Sequence, residues 1–149
     1  MPKSIQELVR INAPIDRVFD VVAHIENYQD AIPHLIKIEF LSEIQQGIGT
    51  QFRETRLMGN RMASSVLEVT EYVKNEKARF VSDSAGTIWD SVFKFKSCSE
   101  NETELSLDMQ ARPYKISAKI LTPLIMGVVG KAVVADMEAI KQYCEKVRN

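Results

Sequence analysis

The apolar and polar positions divide the chain into two regimes. Up to about Ala111 the dominant rhythm is alternation, the period of strands, whereas from Lys115 to Val147 apolar residues recur every three or four positions, the period of a helix. The second regime predicts one long C-terminal helix. Its buried face is expected to hold Ile116, Ile120, Leu121, Leu124, Ile125, Val128 and Val129, followed by Val133, Met137, Ile140, Cys144 and Val147. The stripe drifts between its two halves, and Pro123, Gly127 and Gly130 lie where it turns. A proline inside a helix deletes a backbone bond and crowds the preceding turn, so a break or kink is expected near Thr122. The half from Ala132 to Val147 is amphipathic, with Glu138, Lys141, Gln142, Glu145 and Arg148 facing water. The earlier half, ILTPLIMGVVG, is more apolar than a surface helix needs, so something apolar is expected beside it.

In the strand-like part, Ser4 to Asn12 alternates around Ile5, Val9 and Ile11, with a slip at Leu8. Ala13-Pro14 then opens a helix with Pro14 in the first helical position, Asp16 in the first turn, and Ile15, Val18, Phe19 and Val22 as the buried stripe. Ile25 to His34, with Tyr28 and Pro33, reads as a loop or broken helix. A strand follows in which Ile36, Ile38 and Phe40 share a face opposite Leu35, Lys37 and Glu39.

The next strands can be placed in register. Gly59-Asn60 is a two-residue hairpin signal. It pairs Met58 with Arg61, Arg56 with Ala63, Glu54 with Ser65, Phe52 with Leu67 and Thr50 with Val69. Opposed residues point the same way, so these form the inward face, and Gln51, Arg53, Thr55 and Glu68 form a polar outward one. A second tight turn at Ala85-Gly86 pairs Ser82 with Trp89, Phe80 with Ser91 and Ala78 with Phe93. That face is the more aromatic and is taken as inward, against Arg79, Val81, Asp83, Asp90 and Val92. In the last strand Thr103, Leu105, Leu107, Met109 and Ala111 alternate with Glu104, Ser106, Asp108 and Gln110, core against solvent. The predicted order is strand, helix pair, six-strand antiparallel meander, long helix. This is an α+β arrangement whose sheet must cover its apolar face with helix.

Composition narrows the function classes. The chain has 149 residues, 45% of them hydrophobic and 26% charged, with a net charge of −1, which suits a single soluble domain with a proper core. The scattered Lys and Arg give no basic face for nucleic acid. The longest apolar run, Ile120 to Val134, is interrupted by Pro123 and Lys131 and is too short to span a bilayer. MPKSIQELVRI lacks the apolar core of a signal peptide. Cys98 and Cys144 have no metal-type spacing and read as reduced thiols of a cytoplasmic protein. Nothing in the sequence speaks to oligomeric state.

Four stretches together resemble a known family: INAPIDRVFDVVAHIENYQDAIPHL, GIGTQFRETRLMG, WDSVFKFKSCSENETELSLDM and the tail DMEAIKQYCEKV. They are similar to the START/Bet v 1-like (SRPBCC) superfamily, in particular its bacterial polyketide cyclase/dehydrase and coenzyme-Q-binding branch. The resemblance covers nearly the whole chain. It implies a helix-grip fold, a seven-stranded curved antiparallel sheet around the long C-terminal helix, with two short helices after the first strand and a deep cavity between sheet and helix. Members of the superfamily carry lipids, quinones and plant hormones, act as aromatase-cyclases or serve as cochaperone-like domains, so the fold does not decide the function.

The chemistry-bearing residues point to binding before catalysis. His24 and His34 belong to no metal-ligand pattern, Gly47-Ile48-Gly49 is a turn and not a phosphate loop, and neither cysteine has a histidine partner nearby in sequence. No cofactor is implied. Glu54 and Arg56 point inward two residues apart. Either they end the strand in water, or they form a charge pair on a cavity wall, each neutralising the other. With the helix standing off the sheet, Phe52, Leu67, Phe80, Trp89, Phe93, Leu107 and Met109 would line a pocket together with Ser65, Ser82 and Ser91. Tyr114, Leu121, Leu124, Ile125 and Val128 would close it, and Gly127 and Gly130 would leave room beneath the helix. The leading expectation is a non-enzymatic binder or carrier of a lipid, isoprenoid quinone or aromatic polyketide. The alternatives are a polyketide cyclase or dehydratase moving protons with Glu54, Asp90 or Tyr114, and a protein-interaction module with a vestigial cavity. Lys115, Lys119 and Lys131 border the apolar stretch and suggest transient contact with an anionic membrane.

Overall fold

The Gly59-Asn60 and Ala85-Gly86 turns set the frame on which the rest is hung. In the computed structural model, which describes residues 3–146, Gly59 has φ +63, as a Gly-first hairpin turn requires. Ala85 and Gly86 are both left-handed, at φ +51 and +86. The first turn joins β3 (Gln51–Met58) to β4 (Arg61–Val73), with Phe52 opposite Leu67, Glu54 opposite Ser65 and Arg56 opposite Ala63. The second joins β5 (Lys77–Ser84) to β6 (Thr87–Ser99), with Ala78 opposite Phe93, Phe80 opposite Ser91 and Ser82 opposite Trp89. Both registers are those the turns predict.

With β1 (Lys3–Ile11), β2 (Leu35–Phe40) and β7 (Glu102–Pro113), these strands make one curved antiparallel sheet in the order β1-β7-β6-β5-β4-β3-β2. Two short helices, α1 (Ile15–Ala23) and α2 (Ile25–Ala31), link β1 to β2, and α3 (Ile116–Lys146) follows β7. The architecture is the helix-grip α+β fold. The α1 stripe buries Val18, Phe19 and Val22. Pro14 stands one position ahead of the first helical residue, at ψ 150, and its carbonyl accepts from Val18 N at 3.2 Å. The segment after His24, read as a loop or broken helix, folds as α2 and buries Ile25 and Tyr28.

Two expectations fail for identifiable reasons. In β2 a bulge between Leu35 and Lys37 reverses the alternation at its start. Leu35 is therefore buried and Ile36 exposed, while Ile38 and Phe40 still pack on the core. The larger failure is in α3, which is not broken at Pro123 and does not present the expected face. The face it turns to the sheet consists of Ala118, Thr122, Val133, Asp136, Met137, Ile140 and Cys144. At 100° per residue these fall within an arc of roughly 100°, so the inward face is continuous and does not drift. Several big aliphatics of the first half lie on the other side. Ile116 is 79% exposed, Leu124 72% and Ile120 63%, and Leu121 is also open. Small residues occupy the inward positions because Thr122 closes directly on the sheet, its hydroxyl 2.9 Å from that of buried Thr87. Val147 and Arg148, the last residues assigned to the helix from sequence, lie outside the described residues.

The start of α3 is pinned to the sheet by the second turn. Tyr114 N and Lys115 N both donate to Gly86 O, at 2.8 and 3.3 Å. The Lys115 side chain lies over Gly86 so closely that a Cβ there would meet it at 2.7 Å. From that anchor α3 crosses the open mouth of the sheet and reaches β1, where Lys141 Nζ donates to Arg10 O at 3.0 Å.

Candidate functional site

Between the concave sheet face and the middle of α3 lies a cavity of about 520 Å³. Its wall is largely apolar and aromatic. Phe52, Phe80 and Phe93 stand edge-on to one another at centroid distances of 6.2 and 6.0 Å, and Tyr28 extends the series from α2 at 6.3 Å from Phe93. Edge-to-face contacts at this spacing hold rings rigidly without filling the space in front of them.

Fourteen of the seventeen residues proposed from sequence line this cavity. They are Phe52, Glu54 and Arg56 from β3, Ser65 and Leu67 from β4, Phe80 and Ser82 from β5, Trp89, Ser91 and Phe93 from β6, Leu107 and Met109 from β7, and Ile125 and Val128 from α3. The other three lie elsewhere. Leu121 and Leu124 face away, since the inward arc at their level is held by Ala118 and Thr122. Tyr114 is exposed and donates its hydroxyl to Asp83 at 2.8 Å. Asp90, a candidate proton carrier, is on the opposite face of the sheet. There it accepts from Arg79 Nη2 at 2.6 Å and Arg112 Nη2 at 3.0 Å, bonds that hold its carboxyl below the usual range.

The polar end of the cavity is more elaborate than the expected pair. Arg56 Nε donates to Glu54 at 3.2 Å, and Arg56 Nη1 donates to both oxygens of Asp136 on α3 at 3.0 and 2.8 Å. Tyr28 Oη donates to Asp136 Oδ2 at 3.3 Å. The three charged side chains are only 13–16% exposed, so this is a buried cluster and not a strand end in water. Burial pushes the carboxyls of both Glu54 and Asp136 upward, and the Arg56 charge only partly offsets this. The Tyr28 hydroxyl is held well above its ordinary value, first by burial and then by the Asp136 charge. Burial alone would loosen the Arg56 proton, but Asp136 and Glu54 more than reverse that, and the guanidinium stays charged. Farther along the wall, the buried Ser82 hydroxyl has no hydrogen-bond partner among the described residues.

Asp136 and Tyr28 were missed in the sequence. Asp136 did leave a signal. It sits three residues after Val133 and four before Ile140, inside the apolar stripe, where an acid needs a buried partner. Tyr28 left none, because its segment carries no clear period. A second, open and polar hollow of about 540 Å³ lies beside α1, where His24 bridges Asp20 and the Tyr72 hydroxyl, each at 2.8 Å. These bonds clamp the α1–α2 joint to β4.

With this geometry in view, comparison with known proteins places the fold. The chain is similar to the Zhui aromatase/cyclase from Streptomyces sp. R1128, with 18% identity, TM-score 0.83, and coverage of 99% of this chain and 97% of that one. It is similar to a START superfamily protein from Mycobacterium smegmatis, at 13% identity and TM-score 0.80, over 97% and 99% of the two chains. It is also similar to norcoclaurine synthase from Thalictrum flavum in complex with dopamine and hydroxybenzaldehyde, at 14% identity and TM-score 0.76, over 100% and 90%. No family model and no curated protein matches the sequence. The fold is the one these solved structures share, a seven-stranded antiparallel sheet around a long C-terminal helix. At these identities the likeness fixes the architecture, and the activity has to be argued from the cavity.

Proposed function

We propose that this protein is a single-domain binder and carrier of a hydrophobic small molecule, a lipid, isoprenoid quinone or aromatic polyketide. The observation that carries the reading is the cavity of about 520 Å³, walled by aromatic and aliphatic side chains with a few polar groups gathered at one end. Such a layout is typical of small-molecule sites. A ligand burying about 300 Å² of apolar surface at about 25 cal/mol/Å² gains roughly 7 kcal/mol before the costs of binding, which is compatible with micromolar affinity. The two unpaired cysteines support a reducing, cytoplasmic setting. Native mass spectrometry of protein purified from its own host tests the reading. A co-purifying lipid or quinone supports it, and protein that is bare and also takes up no added hydrophobic ligand refutes it.

The outer face of α3 gives the carrier a surface on which to load. Ile116, Ile120, Leu121 and Leu124 are exposed on one helix. From Met109 to Ala135 the chain has no acidic residue but contains Arg112, Lys115, Lys119 and Lys131. An apolar face flanked by cations complements an anionic membrane. By length and composition α3 passes as a membrane span, but its second half covers the sheet and includes paired Asp136, so contact on the surface of the bilayer is the reading that suits the fold.

A second reading is favoured by the buried cluster. Tyr28, Glu54 and Asp136 are titratable groups gathered in the cavity, with all three pKa values raised, as acid–base chemistry on a bound polyketide would use. Of the acids considered from sequence only Glu54 remains a candidate. Turnover of a polyketide by the protein, abolished in Glu54→Gln and Tyr28→Phe, would favour the cyclase or dehydratase over the carrier.

A further inference from the structure

We propose that the cavity selects apolar molecules whose polar end bears a hydrogen-bond donor and no negative charge, such as a phenol, an alcohol or an alkylammonium, and turns away carboxylates and phosphates. This rests on the ligand-binding reading above and adds the chemical class of the ligand's head.

The argument is one of charge and of unused hydrogen-bonding capacity. The polar end holds two carboxylates, Glu54 and Asp136, against one guanidinium, Arg56. Arg56 is the residue that would be expected to receive an anion, yet its Nη1 and Nε are committed to those carboxylates, its charge is already outnumbered by them, and only Nη2 is left without a bond among the described residues. The remaining charged groups near the cluster do not alter the balance. Arg61 lines the cavity only from the exposed hairpin end of β4, and His34, which faces Asp136 from the segment before β2, is exposed. Tyr28, facing the cluster from α2, is neutral and uses its proton on Asp136.

An anionic head brought here would add a third negative charge to a desolvated site with a single fixed positive one. What the site has in excess is acceptor capacity. Glu54 accepts one hydrogen bond, from Arg56, and makes no other among the described residues. The Ser82 hydroxyl on the same inner face is buried with no partner. Unmet acceptors in a low-dielectric cavity favour a ligand that brings the missing proton. A phenol or alcohol does so as a neutral group, and an ammonium also cancels the surplus charge.

The experiment compares probes with one apolar body and different heads. 1-Octanol, octylamine, octanoate and octyl phosphate are titrated by calorimetry into the full chain at neutral pH, below their aggregation limits. The alcohol and the amine are expected to bind at least about tenfold more tightly than either anion, about 1.4 kcal/mol. Glu54→Gln, which restores one carboxylate to one guanidinium, is expected to improve octanoate binding and weaken octylamine binding, each by about tenfold. Ser82→Ala provides an independent variant, expected to weaken octanol binding a few-fold while leaving the ratio of amine to octanoate unchanged. Octanoate binding as tightly as octanol to the wild type overturns the head-group proposal and leaves the ligand-binding reading standing. Failure of all four probes to bind overturns both.

Discussion

Arg56 on β3 and Asp136 on α3, eighty positions apart in sequence, form a two-pronged ion pair inside the cavity, with Arg56 Nη1 at 3.0 and 2.8 Å from the two carboxylate oxygens. This pair ties the long helix to the sheet beside the cavity. It also places charge where the fold would otherwise be apolar.

Removing the cation alone should be severe. Arg56→Met leaves Glu54 and Asp136 buried without a counter-charge, and breaking a buried pair in this way costs about 3–5 kcal/mol. Urea denaturation should show that loss at neutral pH. The deficit should shrink in mild acid, because burial raises the pKa of both carboxyls and they take up protons more readily than exposed ones.

Removing the surplus acid should have the opposite character. The folded-state pKa of Glu54 is raised, so its contribution to stability is fully present below its unfolded value and is lost as pH rises through the folded one. Glu54→Gln removes that loss and keeps the Arg56–Asp136 pair. The stability of the variant relative to wild type should therefore climb in denaturation curves as pH rises above the ordinary Glu value of 4.5. A difference that is flat or falls with pH would contradict the assigned direction.

The two faces of β3 and β4 should differ sharply in tolerance. Leu67→Arg puts an unpaired charge on the cavity wall and should cost more than about 3 kcal/mol or prevent folding. Arg53→Ala, on the outer face with its side chain 43% exposed and a single 4.0 Å contact to Glu39, should cost under about 0.5 kcal/mol. Thermal melts of the two variants check the ordering.

Trp89 is the only tryptophan and lies on the cavity wall, so a bound quinone or alkylphenol should quench or shift its emission with saturation. The fluorescence midpoint should match the calorimetric one. Unchanged emission during calorimetrically proven binding would put the ligand elsewhere.

Entry to the cavity should involve the first half of α3. Pro123 lacks the amide that would bond back along the helix, Gly127 and Gly130 each lower helix propensity by about 1 kcal/mol relative to Ala, and the outward residues Ile120, Leu121 and Leu124 are exposed. Hydrogen exchange should be fast from Ile120 to Gly130 and slow down when ligand is added, while Ala132 to Lys146, packed through Val133, Met137, Ile140 and Cys144, stays protected. Uniform protection unaffected by ligand would leave the helix as a fixed cover.

What the sequence alone determined is whatever depends on neighbouring residues or on a period of two. Two-residue turns fix register, and register fixes faces. The inward set of β3 through β7 was therefore legible down to the pairing of Glu54 with Ser65 and of Phe80 with Ser91. The tertiary structure alone decided which way α3 faces and what completes the charge cluster. A helix apolar over most of its circumference offers several faces, and hydrophobicity chose the largest side chains, Leu121 and Leu124, where packing chose the smallest, Ala118 and Thr122. Close approach of helix to sheet at Thr87 rewards small size, and the bulky residues are turned outward. Tyr28, Arg56 and Asp136 come from three elements far apart in the chain, and only the closing of α3 over the sheet brings their polar atoms within bonding distance.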